Sequence, residues 1–230
     1  MKIEIVGKTT GIGKYEDLTS EEIIAAIARH GTIKQDNGKL VKYLMVNHHW
    51  SPLDMINFIF EIETSRSIGR QLLRHWSIKP QEHSQRYSDK VSFEPIELRK
   101  EHTTNRQSSS EVFDPEWIQV DFGGRYDGEE YNIKASAAIK ECLKDIDFLY
   151  NRLIKAGVAK ECAREILPGC TTTTLTMNGS LRSWLAFLNV RMDSHTQKEA
   201  KLIANEIGLV LEKELPNVFK VIDWKNGMFM

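Results

Sequence analysis

Residues 74–87 read RHWSIKPQEHSQRY, with two arginines, two histidines, a glutamate, a tryptophan and a tyrosine in fourteen positions. They follow the apolar residues Ile68, Leu72 and Leu73, so this polar set is expected to be held against a core. Arg74, Arg164 and Arg191 each lie among apolar neighbours. A guanidinium near a core needs an anionic or carbonyl partner, because an unpaired buried charge is costly. Singly, each is more often a structural salt bridge. Together with Arg86 and Arg182 they suit a phosphate-and-base site, since the planar fork matches phosphate oxygens and paired acceptors.

Other chemistries are weaker. Ser84 has His83 and His75 nearby in sequence, but no G-x-S-x-G elbow is present, and adjacent residues of an extended chain face opposite ways. The seven histidines show no metal-ligand spacing, so no metal is expected. The segment GKTTGIGK at 7–14 has the composition of a phosphate loop in the wrong order, and reads as a turn.

The elements that must position these groups can be read from periodicity. KIEIVG alternates as a strand. TSEEIIAAIARHG reads as a helix with Thr19 as N-cap, Glu22 completing a capping box and Gly31 at the stop. KLVKYLMVNHH reads as a second helix, followed by a short turn at Ser51-Pro52. Ile56, Phe58, Phe60 and Ile62 mark one face of a half-buried strand, and a helix is expected from Thr64 or Ser65. Pro80 is expected to end regular structure. Residues 98–130 are polar with weak periodicity and read as a surface loop insertion, although a disordered insertion fits the composition equally. A long helix over about 132–156 carries a stripe of Ile139, Cys142, Leu143, Ile146, Leu149, Tyr150 and Leu153, closed by Gly157. A short helix before Pro168, a TTTTLTM strand, a helix over SLRSWLAFLNVRM and a last long helix capped by Asp193 or Ser194 complete the chain.

The fold class is therefore α+β, a small antiparallel or mixed sheet with several packed helices, in a single domain over 1–230. At 230 residues the chain can bury a sizeable core. Its net charge of −1 offers no basic groove for nucleic acid and no field for an anionic membrane. Three cysteines without a CxxC pair read as reduced thiols. No apolar h-region opens the chain and no apolar run is long enough to span a membrane, so a soluble cytoplasmic protein is expected.

The stretch 74–87 resembles the signature of flavin-dependent thymidylate synthases. That signature is R-H-R, seven residues, then Ser, commonly continued as N/Q-E-x-S-x-R-Y. Arg74, His75, Gln81, Glu82, Ser84, Arg86 and Tyr87 match at its spacing. YLMVNHHWSPLDMINFIFEI, RQLLRH, AREILP and GSLRSWLAFLNVRMDSHTQ are similar to further family segments, so the likeness covers most of residues 40–210. Trp76 stands where the signature has a second arginine. Gln81 and Ser180 stand where Asn is common, Asp54 where Glu is usual and Ala186 where a polar residue is usual.

The resemblance implies reductive methylation of dUMP to dTMP. It implies FAD as hydride donor, NADPH as reductant and methylenetetrahydrofolate as carbon donor, in a homotetramer with active sites at subunit interfaces. It assigns Gln71, Arg74, Glu82, Ser84, Gln85, Arg86, Arg164 and Arg191 to dUMP, with Arg191 as the catalytic cation that favours ionisation of the pyrimidine N3. Ser51, Arg74, His75, Trp76, Glu82, Ser180, Leu181, Arg182 and Ala186 fall on FAD-contacting positions, and His49 on one near flavin and folate. The alternatives are a degenerate relative that binds flavin or nucleotide without efficient turnover, and a single-stranded nucleic-acid-binding module, which the near-neutral charge disfavours.

Overall fold

The computed structural model of the chain describes residues 1–34, 37–86, 91–105, 108–120 and 131–227. In order, its elements are β1 (Lys2–Lys8), α1 (Ser20–Ala28), α2 (Gly38–Val46), β2 (Asn57–Ser65), α3 (Arg66–Leu72), β3 (Lys79–Glu82), β4 (Arg99–Glu101), β5 (Ser109–Val112), β6 (Ile118–Val120), β7 (Tyr131–Ile133), α4 (Ala135–Lys155), α5 (Lys160–Ala163), β8 (Thr172–Ser180), α6 (Leu181–Arg191), α7 (Lys198–Glu214) and α8 (Pro216–Phe219). Short 3-10 turns lie at Gly13–Tyr15, Ser51–Met55, Arg164–Ile166 and Trp224–Asn226. None of the described helices is long and apolar enough to cross a membrane. The chain divides into two compact units, one of Met1–Thr64, Ile68–Glu82 and Thr173–Met230, the other of Ser65–Ser67 and His83–Thr172.

The first unit is built on a four-stranded sheet in the order β1-β2-β8-β3. β1 and β2 are antiparallel with Ile3 opposite Ile62, and β3 and β8 are antiparallel with Pro80 opposite Met177. The alternation expected for β2 is realised: Phe58, Phe60 and Ile62 are fully buried while Asn57, Glu61 and Glu63 are exposed. These side chains meet Leu175 and Met177 of β8 and the apolar stripes of α1, α2, α3, α6, α7 and α8 in one core. Trp184 of α6 sits at its centre, edge-on to Phe60 (5.0 Å) and Phe187 (5.5 Å), and its indole N–H donates to the Phe58 carbonyl at 3.1 Å. That bond gives the one polar atom of a fully buried indole a partner.

Local signals explain the helix ends. Thr19 and Glu22 form the expected capping box, and Gly31 adopts a left-handed φ of 86°. Ser180 caps α6, its hydroxyl accepting from the Ser183 N–H at 3.2 Å.

Several boundaries differ from expectation. Pro80 does not end regular structure. It lies inside β3, which is the rim of the sheet, where a missing N–H need not break a ladder. Thr64 and Ser65 finish β2 rather than starting a helix, and α3 begins at Arg66. α2 stops at Val46, short of the histidines, and His48 is left-handed with φ 57°. The last long helix begins at Lys198, not at 193 or 194. The Asp193 carboxylate is instead spent locally on the His195 N–H and ring, each at 2.8 Å.

The second unit contains α4, α5 and the paired strands β4–β5 and β6–β7. Part of the 98–130 stretch is thus strand, while 106, 107 and 121–130 lie outside the described residues. α4 spans the expected long helix, with Gly157 left-handed at φ 86° beyond it. Asp114, from a separate segment, accepts from the Ser136 N–H (2.9 Å) and hydroxyl (2.6 Å) at the start of α4, and these bonds hold its carboxyl below the usual range. The expected stripe is only partly covered. Tyr150 is buried, but Cys142 is exposed and Leu149 is 49% exposed. Ile139 and Leu143 line an open groove of about 600 Å³ with Val91, Phe93 and Ile96.

Candidate active site

Arg191 ends α6 and is the best-defined group of the site. Its Nε donates to His75 Nε2 at 2.8 Å and its Nη2 donates to the Gln71 carbonyl. Among the described residues no carboxylate pairs with it. Burial and the neighbouring Arg74 cation lower its pKa. His75 is partly buried, with its ring edge-on to Phe187 at 4.8 Å. Burial first, and the Arg191 cation second, push His75 down to about 4, so it is neutral at physiological pH. Arg74 is exposed and has no ion-pair partner among the described residues. Arg74 and Arg191 thus act on each other with no carboxylate paired to either among the described residues, an arrangement whose repulsion an anion would relieve. Gln71 is oriented by its amide, which donates to Gln197 at 2.7 Å.

A second group collects at the start of α6. Asp54 accepts from the Ser180 hydroxyl (2.9 Å) and from Arg182 (3.1 Å), so one carboxylate fixes both. Ser183 donates to the Ser77 carbonyl at 3.3 Å, tying α6 to the residues just after Trp76. Trp76 is 86% exposed. Ser51 is exposed at the opening of its 3-10 turn, and His49 stacks on Tyr43 at 5.9 Å. Ala186 is half-buried. Leu181 is fully buried, its N–H is spent on the Ile56 carbonyl at 2.7 Å, and its carbonyl opens the helical ladder of α6, so both of its backbone groups are engaged within the protein.

Glu82, on β3, is exposed and held by the Thr173 hydroxyl at 2.9 Å, which leaves its second oxygen open.

The remaining predicted residues belong to the second unit. Gln85 accepts from Arg66 at 2.8 Å, and the Arg86 N–H donates to the Ser84 hydroxyl at 3.3 Å. Arg86 pairs with Glu161 at 3.0 Å beside a pocket of about 260 Å³. Arg164 donates to the Glu161 carbonyl (3.3 Å) and lies 3.4 Å from the Glu165 carboxylate. Glu161 therefore touches both arginines, one through its side chain and one through its backbone. Tyr87 lies outside the described residues. No group of three or more metal-ligating side chains gathers among the described residues.

Sequence reasoning did not find Thr173, Arg66 or Glu161. Glu161 sits three residues before Arg164, on the short helix α5 that Arg164 caps, which was the available signal.

Fold and candidate site define an α+β protein with a small antiparallel sheet and arginines at both ends of α6. A family model described as thymidylate synthase complementing protein matches residues 14–217, and the chain belongs to that family. It is 37% identical over 215 residues to the flavin-dependent thymidylate synthase of Synechocystis sp., covering 91% of this chain and 92% of that one. It is 36% identical over 212 residues to the probable flavin-dependent thymidylate synthase of Paramecium bursaria Chlorella virus 1, covering 90% and 92%. The flavin-dependent thymidylate synthase of Dictyostelium discoideum is 34% identical over 220 residues, covering 93% and 67%.

Proposed function

We propose that the chain is a flavin-dependent thymidylate synthase that methylates dUMP reductively to dTMP. The observation that carries the chemistry is Arg191, a partly buried cation whose protein partners are a neutral histidine and a backbone carbonyl. Such a charge is uncompensated and favours the ionised form of an imide placed beside it. Loss of the N3 proton puts electron density into the pyrimidine ring and makes C5 more nucleophilic.

The donor set at the start of α6 fits FAD. Arg182 and Arg74 suit the diphosphate, the hydroxyls of Ser51 and Ser180 offer further bonds, and the exposed Trp76 indole offers a stacking surface. Held there, FAD in its reduced form would supply the hydride for the reductive methylation, with methylenetetrahydrofolate as carbon donor and NADPH as reductant. His75, Leu181 and Ala186 complete the proposed FAD set, and His49 stands near flavin and folate. Gln71, Arg74, Ser84, Gln85, Arg86 and Arg164 are assigned to dUMP, with Glu82 in contact with both nucleotide and flavin. The expected assembly is a homotetramer, which the exposed Phe148 and Leu149 of α4 support as apolar surface available to another copy.

The test is spectroscopic. Purified protein should be yellow, bleach with NADPH, and reoxidise with dTMP formation when dUMP and methylenetetrahydrofolate are added. A colourless protein that takes up no added FAD overturns the reading. Arg191→Ala should keep the fold and lose dTMP formation by at least about a hundredfold; normal turnover would refute its role.

A further inference from the structure

His75 accepts the Arg191 Nε–H at Nε2, so a neutral imidazole here must carry its own proton on Nδ1. The Gln71 carbonyl takes a proton of Arg191 Nη2, and Phe187 closes against the histidine ring. Nε and Nη2 are thereby engaged, and Nη1 with the second Nη2 hydrogen remains as the open fork, unpartnered among the described residues. We propose that His75 is a positioning residue: its unprotonated Nε2, acting with the Gln71 carbonyl, locks the Arg191 guanidinium so that its open fork receives the O–C–N edge of the pyrimidine. This rests on the thymidylate synthase reading and deepens it.

Three features support a clamp over incidental contact. A guanidinium on a flexible stem has many rotamers, and two bonds from α3 and the turn after it select one. An acceptor without charge orients the cation without neutralising it, whereas a carboxylate in its place would quench the charge that the imide anion needs. The depressed basicity of His75 keeps the accepting lone pair open across the working pH range.

The test uses the full chain as purified. Histidine ¹⁵N spectra of the ligand-free protein should show His75 protonated at Nδ1 and bare at Nε2, and this arm needs no nucleotide. The opposite tautomer, or an imidazolium near neutral pH, overturns the clamp. By calorimetry, His75→Leu should bind dUMP about tenfold to a hundredfold more weakly. His75→Gln, whose amide oxygen can take the place of Nε2, should recover to within about fivefold of the parent. Equal dUMP affinity in His75→Leu and the parent overturns the proposal while the function stands. A parent protein that binds neither FAD nor dUMP overturns the function, and with it the pyrimidine role, whatever the tautomer. Melting curves of both variants identify a loss caused by unfolding, in which case the Gln variant and the tautomer decide.

Discussion

At the scale of single residues, the chemistry of the site is set by which cations already have partners. Arg191 has none among the described carboxylates, whereas Arg86 is paired with Glu161 across an exposed 3.0 Å contact. Exposed pairs of this kind are worth about 0.2–1 kcal/mol. Glu161→Gln should therefore leave stability within about 0.5 kcal/mol of the parent. It should tighten dUMP binding about twofold to fivefold at low salt, with the gain fading as salt rises. Calorimetry at two ionic strengths reads this, and weaker binding would show that Glu161 does not compete for Arg86. His75 gives a pH prediction. Its folded pKa of about 4 lies below the ordinary 6.5, so the native state binds fewer protons than the unfolded chain between those values. Stability from this group is fully present above about 6.5, is lost as pH falls towards about 4, and changes no further below that. Melting temperatures across this window should fall more steeply for the parent than for His75→Gln. The residue types were legible in the sequence because RHWSIKPQEHSQRY concentrates them. Their partners were not, because Arg191 meets His75 from 116 positions away and Glu82 meets Thr173 from 91.

At the scale of elements, α6 acts as a spacer. Ser180 caps it, Asp54 fixes Arg182 in its first turn, and Arg191 closes its last. Nine steps of helix set those two arginines about 14 Å apart along the axis. Deleting one residue from α6 would turn Arg191 by about 100° away from His75. The helix was readable from SLRSWLAFLNVRM. The cofactor assignments at its start were not readable from periodicity, since Leu181 belongs to the core face. Pattern also failed at Pro80, because a proline is excluded from central strands and tolerated on a rim, and strand order is not visible in local sequence. α7 carries a sharper constraint. A Cβ at Gly208 would overlap the Trp224 ring, which the core holds in place. Gly208→Ala should cost about 1–3 kcal/mol and lower the melting temperature, without changing dUMP affinity per folded molecule. An unchanged melting curve would show that Trp224 moves aside freely.

At the scale of the whole molecule, the elements read from periodicity forecast the α+β class, and the chain divides into two compact units. The likeness to known sequences identified more of the candidate site than spacing alone did, because its residues come from six separate segments. The expected homotetramer is checked by light scattering after size exclusion: four times 26.5 kDa is about 106 kDa, and a mass of one chain would remove the shared-site reading. The two rims of the sheet bear on any such assembly. One rim, β1, carries Lys2 and Lys8 and a register shift between Ile5 and Gly7; the other, β3, carries Pro80. Charges, bulges and prolines are the devices that stop a stranger's strand from zipping onto an open sheet. Pro80→Thr should therefore leave the melting temperature nearly unchanged yet raise turbidity in concentrated, gently warmed samples. Unchanged turbidity in that variant would show that the proline inside the signature does not protect this rim from strand addition.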